Sequence, residues 1–142
     1  MRYERYKETG IPWLPEVPDG WEVVKVKQIA SENKAKNKNC EECNILSLSY
    51  GRIIRKSNPN SGLTPLDYST YSIVDKGMVV LRLTDLQNDH RSLRTGLVKE
   101  KGIITSAYVS LNPKGVLSEY LHLVLHTWDI LKVFYSLGII SS

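Results

Sequence analysis

The sequence contains only two cysteines and no long apolar run, and each scarcity excludes a class of protein. No stretch approaches the ~20 consecutive apolar residues that a membrane-spanning helix requires. The first eight residues alternate charged with aromatic side chains and contain no apolar segment, unlike a secretory signal peptide. These absences predict a cytoplasmic protein with no membrane partner, in a compartment where thiols remain reduced.

Cys40 and Cys43 form a C-x-x-C pair, which is half of the ligand set of a closed structural zinc site. No second pair exists, although His90, His122 and His126 offer further nitrogen ligands. A redox-active C-x-x-C would open a helix after a strand, whereas this pair follows a loop rich in Asn and Lys. We therefore predict two loop thiols, no metal site and no cofactor held by this chain.

Catalytic motifs are also missing. The sequence has no G-x-S-x-G, no P-loop, no G-x-G-x-x-G and no H-E-x-x-H. Its carboxylates lack the P-D-x-n-D/E-x-K type of spacing that brings acidic side chains and a lysine to a nuclease metal ion. We therefore expect a protein that is not an enzyme.

What is present suits one globular domain over residues 1–142, with 42% hydrophobic and 24% charged residues. Nineteen Lys and Arg exceed fifteen Asp and Glu, for a net charge of +4. This balance is compatible with a polyanionic partner without requiring one. Several strand patterns followed by one helical pattern predict an α+β fold, with a twisted, mixed or antiparallel sheet and helices at its margin.

Residues 1–21 mix Gly and Pro with large apolar side chains, which predicts an extended strap across a core. A short strand and one or two helical turns are predicted next, over residues 22–26 and 27–30. Further strands are predicted over residues 45–50, 53–54, 78–83, 95–98 and 103–111, with a turn at Gly51 and Arg52 and the 78–83 strand apolar enough to be central.

The region 116–136 has apolar side chains at helical spacing, which predicts a C-terminal helix with one face in the core. The residues expected on that face are Leu117, Leu121, Val124, Trp128 and Leu131, followed by Phe134 or Tyr135.

The polar loop between residues 82 and 94 lies between two predicted strands and is the strongest candidate for a binding site. Readout of base edges needs planar, forked groups: Arg for guanine, and Asn or Gln for adenine. The candidates in this loop are Arg82, Gln87, Asn88, His90, Arg91 and Arg94. Tyr108 and Ser106, on a neighbouring predicted strand, are expected either to orient the loop or to be buried structure.

A second polar segment begins at residue 52 and supplies Arg52, Arg55 and Lys56, which we expect to contact the DNA backbone. Five lysines earlier in the chain also suit phosphates, which set affinity rather than sequence specificity. They are Lys25, Lys27, Lys34, Lys36 and Lys38.

The opening segment, residues 6–23, has the sequence YKETGIPWLPEVPDGWEV. It resembles the Y-K-x-S-G-I-x-W…I-P-x-x-W-E segment that precedes target-recognition domains in the specificity subunits of Type I restriction–modification systems. Residues 76–89 resemble the K-G-D-I-V strand and following loop of that family, and residues 103–109 its G-I-hydrophobic-S-x-A-Y element. Thr9, Pro15 and Met78 replace the family's usual Ser, Gly and Asp.

The resemblance implies a target-recognition-domain-like fold and a non-catalytic domain that reads one half of a bipartite DNA target. It also implies modification (methyltransferase) and restriction subunits as partners, which would hold S-adenosylmethionine, ATP and Mg. The family continues into a spacer helix, so the resemblance leads us to expect a chain truncated before that helix. The alternative expectation is a truncated protein-interaction fragment that binds a methyltransferase subunit or itself, with little DNA binding.

Overall fold

The structure, a computed structural model, describes residues 5–11, 14–56, 68–84 and 93–131. These residues form ten strands and two helices. In chain order the elements are β1 (Tyr6–Ile11), β2 (Leu14–Pro18), α1 (Val26–Ile29), β3 (Ala30–Glu32), β4 (Leu46–Ser49), β5 (Arg52–Arg55), β6 (Ser72–Val74), β7 (Val79–Leu81), β8 (Thr95–Leu97), β9 (Gly102–Ile104), β10 (Val109–Pro113) and α2 (Ser118–Ile130).

The strands form several small sheets. One sheet has four strands in the order β3-β10-β7-β8, and the pairs β1-β2, β4-β5 and β6-β9 form two-stranded sheets. Every one of these pairs is antiparallel, while the single bridge between Ile45 and Ile103 is parallel. The fold is therefore α+β with mostly antiparallel strands. The predicted 103–111 strand is split in two, because the chain turns between Thr105 and Tyr108.

Strand β7 is the centre of the core, as its apolar sequence predicted. Val79 and Leu81 face one hydrophobic cluster, with Leu121 and Leu125 of α2. Val80, between them, faces a second cluster on the other side of the sheet. Because successive side chains of a strand point to opposite faces, three consecutive apolar residues require cover on both sides. The two clusters supply that cover.

Helix α2 packs on the first cluster, but its buried face differs from the predicted one. Leu121 and Leu125 are fully buried, whereas Leu117 is 74% exposed and Leu131 is 57% exposed. The next buried position along this face is Asp129, a charged residue that apolar periodicity could not identify. Residues 132–136 of the predicted helix lie outside the described residues.

The lead-in segment is a hairpin, and the prediction of a strap across the core was wrong for its described part. β1 and β2 pair with each other over the register Tyr6↔Pro18 to Ile11↔Leu14. Only Val17 and Pro18 are buried among the described residues of the two strands. The predicted 22–26 strand is also absent, since residues 21–25 have no regular structure, while α1 supplies the predicted helical turn.

Candidate nucleic-acid interface

The hairpin of β4 and β5 carries the second predicted polar segment. Its register runs from Leu46↔Arg55 to Ser49↔Arg52, so the turn consists of Tyr50 and Gly51. Both turn residues have positive φ, 50° and 76°, which is the conformation of the tightest hairpin turns. The Tyr50 side chain is 91% exposed at the tip. The structure thus adds an exposed aromatic ring that the sequence analysis did not single out.

The hairpin lies directly against β8 and the base of the 82–94 loop. A Cβ atom added to Gly51 would lie 3.1 Å from Cδ1 of Leu93. One added to Gly96 would lie 2.7 Å from Cδ1 of Leu48 and 2.9 Å from Cδ1 of Ile53. The two glycines therefore let the hairpin approach closely. The described ends of the two polar segments, residues 51–53 and 93–96, are therefore adjacent.

Arg55 is exposed, but its guanidinium is already paired. Its Nε and one terminal nitrogen donate to the two carboxylate oxygens of Glu100, at 2.5 and 2.8 Å. Asn44 donates to the same carboxylate at 3.0 Å. The bonds from Arg55 and Asn44 lower the pKa of Glu100 to about 2. Arg55 would have to leave this pairing to contact a phosphate. Arg52 lies on the same strand, and Lys56 follows the strand directly; both are exposed.

Arg94 is 0% exposed, which corrects its prediction as a base-reading residue. One terminal nitrogen of its guanidinium donates to the main-chain oxygens of Arg82 and Thr84, at 3.1 and 2.6 Å. Its own amide donates to the carboxylate of Asp129 at 2.5 Å. A side chain enclosed in this way cannot reach a base edge. Its position in a polar loop gave no sign of this, because the partners are main-chain oxygens and a residue of α2.

Arg82 lies opposite Arg94 and is half-buried. Its amide donates to the main-chain oxygen of Arg94 at 2.9 Å, so the two residues close the neck of the loop. The other loop candidates, Gln87, Asn88, His90 and Arg91, lie outside the described residues. Their assignment as base readers stays a prediction.

The remaining sequence candidates occupy different environments. Tyr108 packs against the second hydrophobic cluster, which favours a structural role. Ser106 is exposed in the turn before β10 rather than on a strand. The five early lysines are all exposed, and one of them, Lys36, donates to Ser72 Oγ at 3.2 Å.

A pocket of about 360 Å³ lies between the hairpin and α2. The described residues that line it are 51–54, Leu97, Lys99 and His122. Nε2 of His122 is buried and has no hydrogen-bond partner within the described part of the chain. Burial, then the neighbouring His126 and Lys99, lower the pKa of His122. Sequence reasoning considered His122 only as a zinc ligand or a surface residue of the helix.

Within the described ranges, no group of three or more His, Cys, Asp or Glu side chains is placed to hold a metal ion. Neither Cys40, which is half-buried, nor Cys43, which is exposed, forms a disulfide with another described residue. No helix among the same residues is long and apolar enough to cross a bilayer.

The candidate interface thus consists of the hairpin tip, the neck of the loop and the pocket beside them.

Comparison of the chain with protein-family models and with curated protein sequences gives no match.

Proposed function

We propose that this chain is a sequence-specific, non-catalytic reader of double-stranded DNA. In this proposal it is a target-recognition domain of a Type I restriction–modification specificity subunit and reads one half of a bipartite target. Modification and restriction subunits would act on the selected site and would supply S-adenosylmethionine, ATP and Mg. The sequence resemblance in the opening segment and in residues 76–89 and 103–109 supports this assignment.

The observation that carries the proposal is the contact between the β4–β5 hairpin and the base of the 82–94 loop. Arg52 and Lys56 are exposed on the hairpin, and Gly51 lies so close to Leu93 at the end of the loop that an added Cβ atom would be 3.1 Å from Cδ1 of Leu93. Cations beside a polar loop combine the two parts of a DNA reader: phosphate contacts fix the register, and base contacts supply specificity. The exposed ring of Tyr50 adds a surface on which a base or sugar can pack.

The proposed roles are divided accordingly. Gln87, Asn88, His90 and Arg91 are proposed to read base edges, and Arg82 to support them from the neck of the loop. Arg52 and Lys56 are proposed to contact phosphates. Arg94 is left out of the proposed reading set because it is buried.

Salt dependence is the first test. Duplex affinity is measured by fluorescence anisotropy at several salt concentrations. The logarithm of the binding constant should fall linearly with the logarithm of the salt concentration. Arg52→Gln and Lys56→Gln should each reduce that slope by about one, because each removes one phosphate contact. Lys114→Gln is the matched control, since Lys114 is exposed after β10, near the β3 side of the four-stranded sheet and away from β8. Binding that ignores salt, or a control that weakens equally, contradicts the proposal.

Selection of binding sites from a random duplex pool tests the base-reading part. Arg91→Ala should relax the preference at one base pair, at a cost of about 1–3 kcal/mol for the preferred base. Arg52→Ala should weaken binding to all sequences alike. An unchanged selected motif with Arg91→Ala would remove that residue from the reading set.

A protein-interaction module remains the second candidate, and one observation favours it. Helix α2 exposes apolar side chains on its outer face, including Tyr120 at 54%, Leu123 at 61% and Ile130 at 59%. Exposed apolar surface of this kind is typical of association sites. Analytical ultracentrifugation measures self-association. Self-association that is insensitive to salt, in a chain that does not bind the duplex, would favour this candidate.

A further inference from the structure

The pocket between the β4–β5 hairpin and α2 includes Lys99 and His122, which have no role in the proposed base and phosphate contacts. It is built by three elements: residues 51–54 of the β4–β5 hairpin, Leu97 of β8 with Lys99 just after it, and His122 of α2. These residues are distant in sequence, so the pocket exists only in the folded chain. Its volume of about 360 Å³ lies at the lower end of small-molecule sites.

His122 is the unusual residue of the pocket. A buried polar atom normally has a hydrogen-bond partner, yet Nε2 of His122 has none among the described residues. The other imidazole nearby, His126, lies at 5.7 Å between ring centroids, and its Nδ1 is 3.4 Å from Thr95 Oγ1. His122 therefore lines the pocket and holds a buried nitrogen that no described residue satisfies.

The charged side chains in the described lining of the pocket are all basic. Arg52 of β5 and Lys99 are cationic, and the described lining contains no carboxylate. Glu100, the neighbour of Lys99 in sequence, is paired with Arg55 and Asn44. Among the described residues, the charged or titratable groups that share the lining with His122 or act on its pKa are Arg52 on the hairpin, Lys99 after β8 and His126 on the same helix. An anion is the ligand that this arrangement favours.

We propose that this pocket binds one phosphate group, with Arg52 and Lys99 neutralising its charge and the Nε2–H of protonated His122 donating to a phosphate oxygen. Charge-assisted hydrogen bonds to an oxyanion are stronger than neutral ones. The DNA backbone is one source of such a group, and this version rests on the proposed function. Free inorganic phosphate or a similar oxyanion is the other source.

The empty pocket and the occupied pocket favour different protonation states of His122. Without an anion, burial, His126 and Lys99 hold the pKa of the imidazole below its ordinary value. A bound anion favours the charged form, so binding raises that pKa and becomes tighter as the pH falls. Binding and proton uptake are therefore linked.

The first experiment follows the His122 imidazole of the full chain by NMR during pH titrations with and without sulfate. Sulfate is a suitable probe because its own charge does not change between neutral and mildly acidic pH. We expect sulfate to move the His122 titration upward in pH. Assignment uses His122→Gln and His126→Gln, each of which removes one imidazole signal. A His122 titration that is the same with and without sulfate overturns the proposal.

The second experiment compares two lysines that differ only in their position relative to the pocket. Lys99 and Lys101 are both exposed and lie two residues apart, but only Lys99 is among the described lining residues. Lys99→Gln should weaken sulfate binding by about tenfold, the loss expected for one charge-assisted contact. Lys101→Gln should have little effect. Equal losses would mean general charge attraction and would overturn the pocket as a site.

Repeating both measurements with a duplex distinguishes the two sources. If the duplex moves the His122 titration, and Lys99→Gln weakens duplex binding more than Lys101→Gln does, the ligand is a backbone phosphate. If sulfate acts and the duplex does not, the pocket is a site for a free oxyanion, and the DNA version is wrong. If the duplex binds with a steep salt dependence while His122 responds to neither ligand, the pocket proposal is wrong and the proposed function stands.

Discussion

The tip of the β4–β5 hairpin and the neck of the 82–94 loop both present arginines, and the structure uses them in opposite ways. Arg52 is exposed on the hairpin, whereas Arg94 is enclosed at the neck and bonded to main-chain oxygens. The two residues look alike in sequence, since each lies in a polar stretch next to a strand. The difference shows that a basic side chain in a polar stretch is available to a ligand only when its donors are not already bonded within the fold.

The reason for the difference lies in what surrounds each side chain. Arg94 is fully buried beside α2, where the carboxylate of Asp129 accepts a hydrogen bond from its main-chain amide. Arg52 lies on a two-stranded sheet, where both it and Ile54, two residues along the strand, are exposed. Burial of a guanidinium requires nearly all of its donors to be satisfied, and a loop neck with converging carbonyl groups provides that environment.

The largest effect is expected at the neck. Arg94→Ala removes two hydrogen bonds to main-chain oxygens and leaves a cavity at a fully buried position, so we expect a loss of about 3 kcal/mol in the free energy of unfolding. Arg52→Ala, on the exposed hairpin, should stay within about 0.5 kcal/mol of the unsubstituted protein. Urea unfolding measures both. Equal stability of the two variants would contradict the distinction between neck and tip.

A smaller effect is expected where the hairpin meets β9. A Cβ atom added to Gly102 would lie 2.5 Å from the main-chain oxygen of Asn44 and 2.6 Å from Cδ1 of Leu46. A main-chain atom cannot turn away as a flexible side chain can, so Gly102→Ala should cost about 2 kcal/mol through overpacking.

Gly20→Ala is the matched control for that substitution, because a Cβ atom there would meet nothing within 4 Å. Its unfolding midpoint in urea should be close to that of the unsubstituted protein. A stable Gly102→Ala variant would mean that the hairpin can move away from β9, and the close contact would then not define its position.

Sequence reasoning succeeded where a pattern has one physical solution. The apolar run around Val79–Leu81 requires a strand that is covered on both faces. The Tyr50–Gly51 step between two alternating segments requires a tight turn, and this turn lies within one residue of the turn predicted at Gly51 and Arg52. Both are local properties, fixed by side-chain alternation and backbone conformation. The strands on either side of the candidate site were predictable for this reason.

The same reasoning failed where the deciding partner is distant in sequence. Asp129 breaks the apolar stripe of α2, and its role becomes visible only beside the amide of Arg94, 35 residues earlier. The pairing of Arg55 with Glu100 spans 45 residues. The pocket at His122 needs three separate elements. No spacing rule connects such residues, so the sequence could name candidate cations but could not tell which were already engaged.

The smallest effect is expected at Arg55, the hairpin arginine that is paired with Glu100. Its bonds, together with the bond from Asn44, lower the pKa of Glu100 to about 2 from an ordinary value of 4.5. A carboxylate with a lowered pKa in the folded state adds stability that is complete above the ordinary pKa and is lost as the pH falls through the folded one. Because both side chains are largely exposed, water screens the pair and the contribution is modest.

Glu100→Gln should therefore lower the urea midpoint slightly at about pH 6 and by less at about pH 2.5. Glu119→Gln, an exposed carboxylate in the first turn of α2, is the control. A pH-independent difference for Glu100→Gln would show that Asn44 and packing, rather than the charge of Arg55, hold this end of the hairpin.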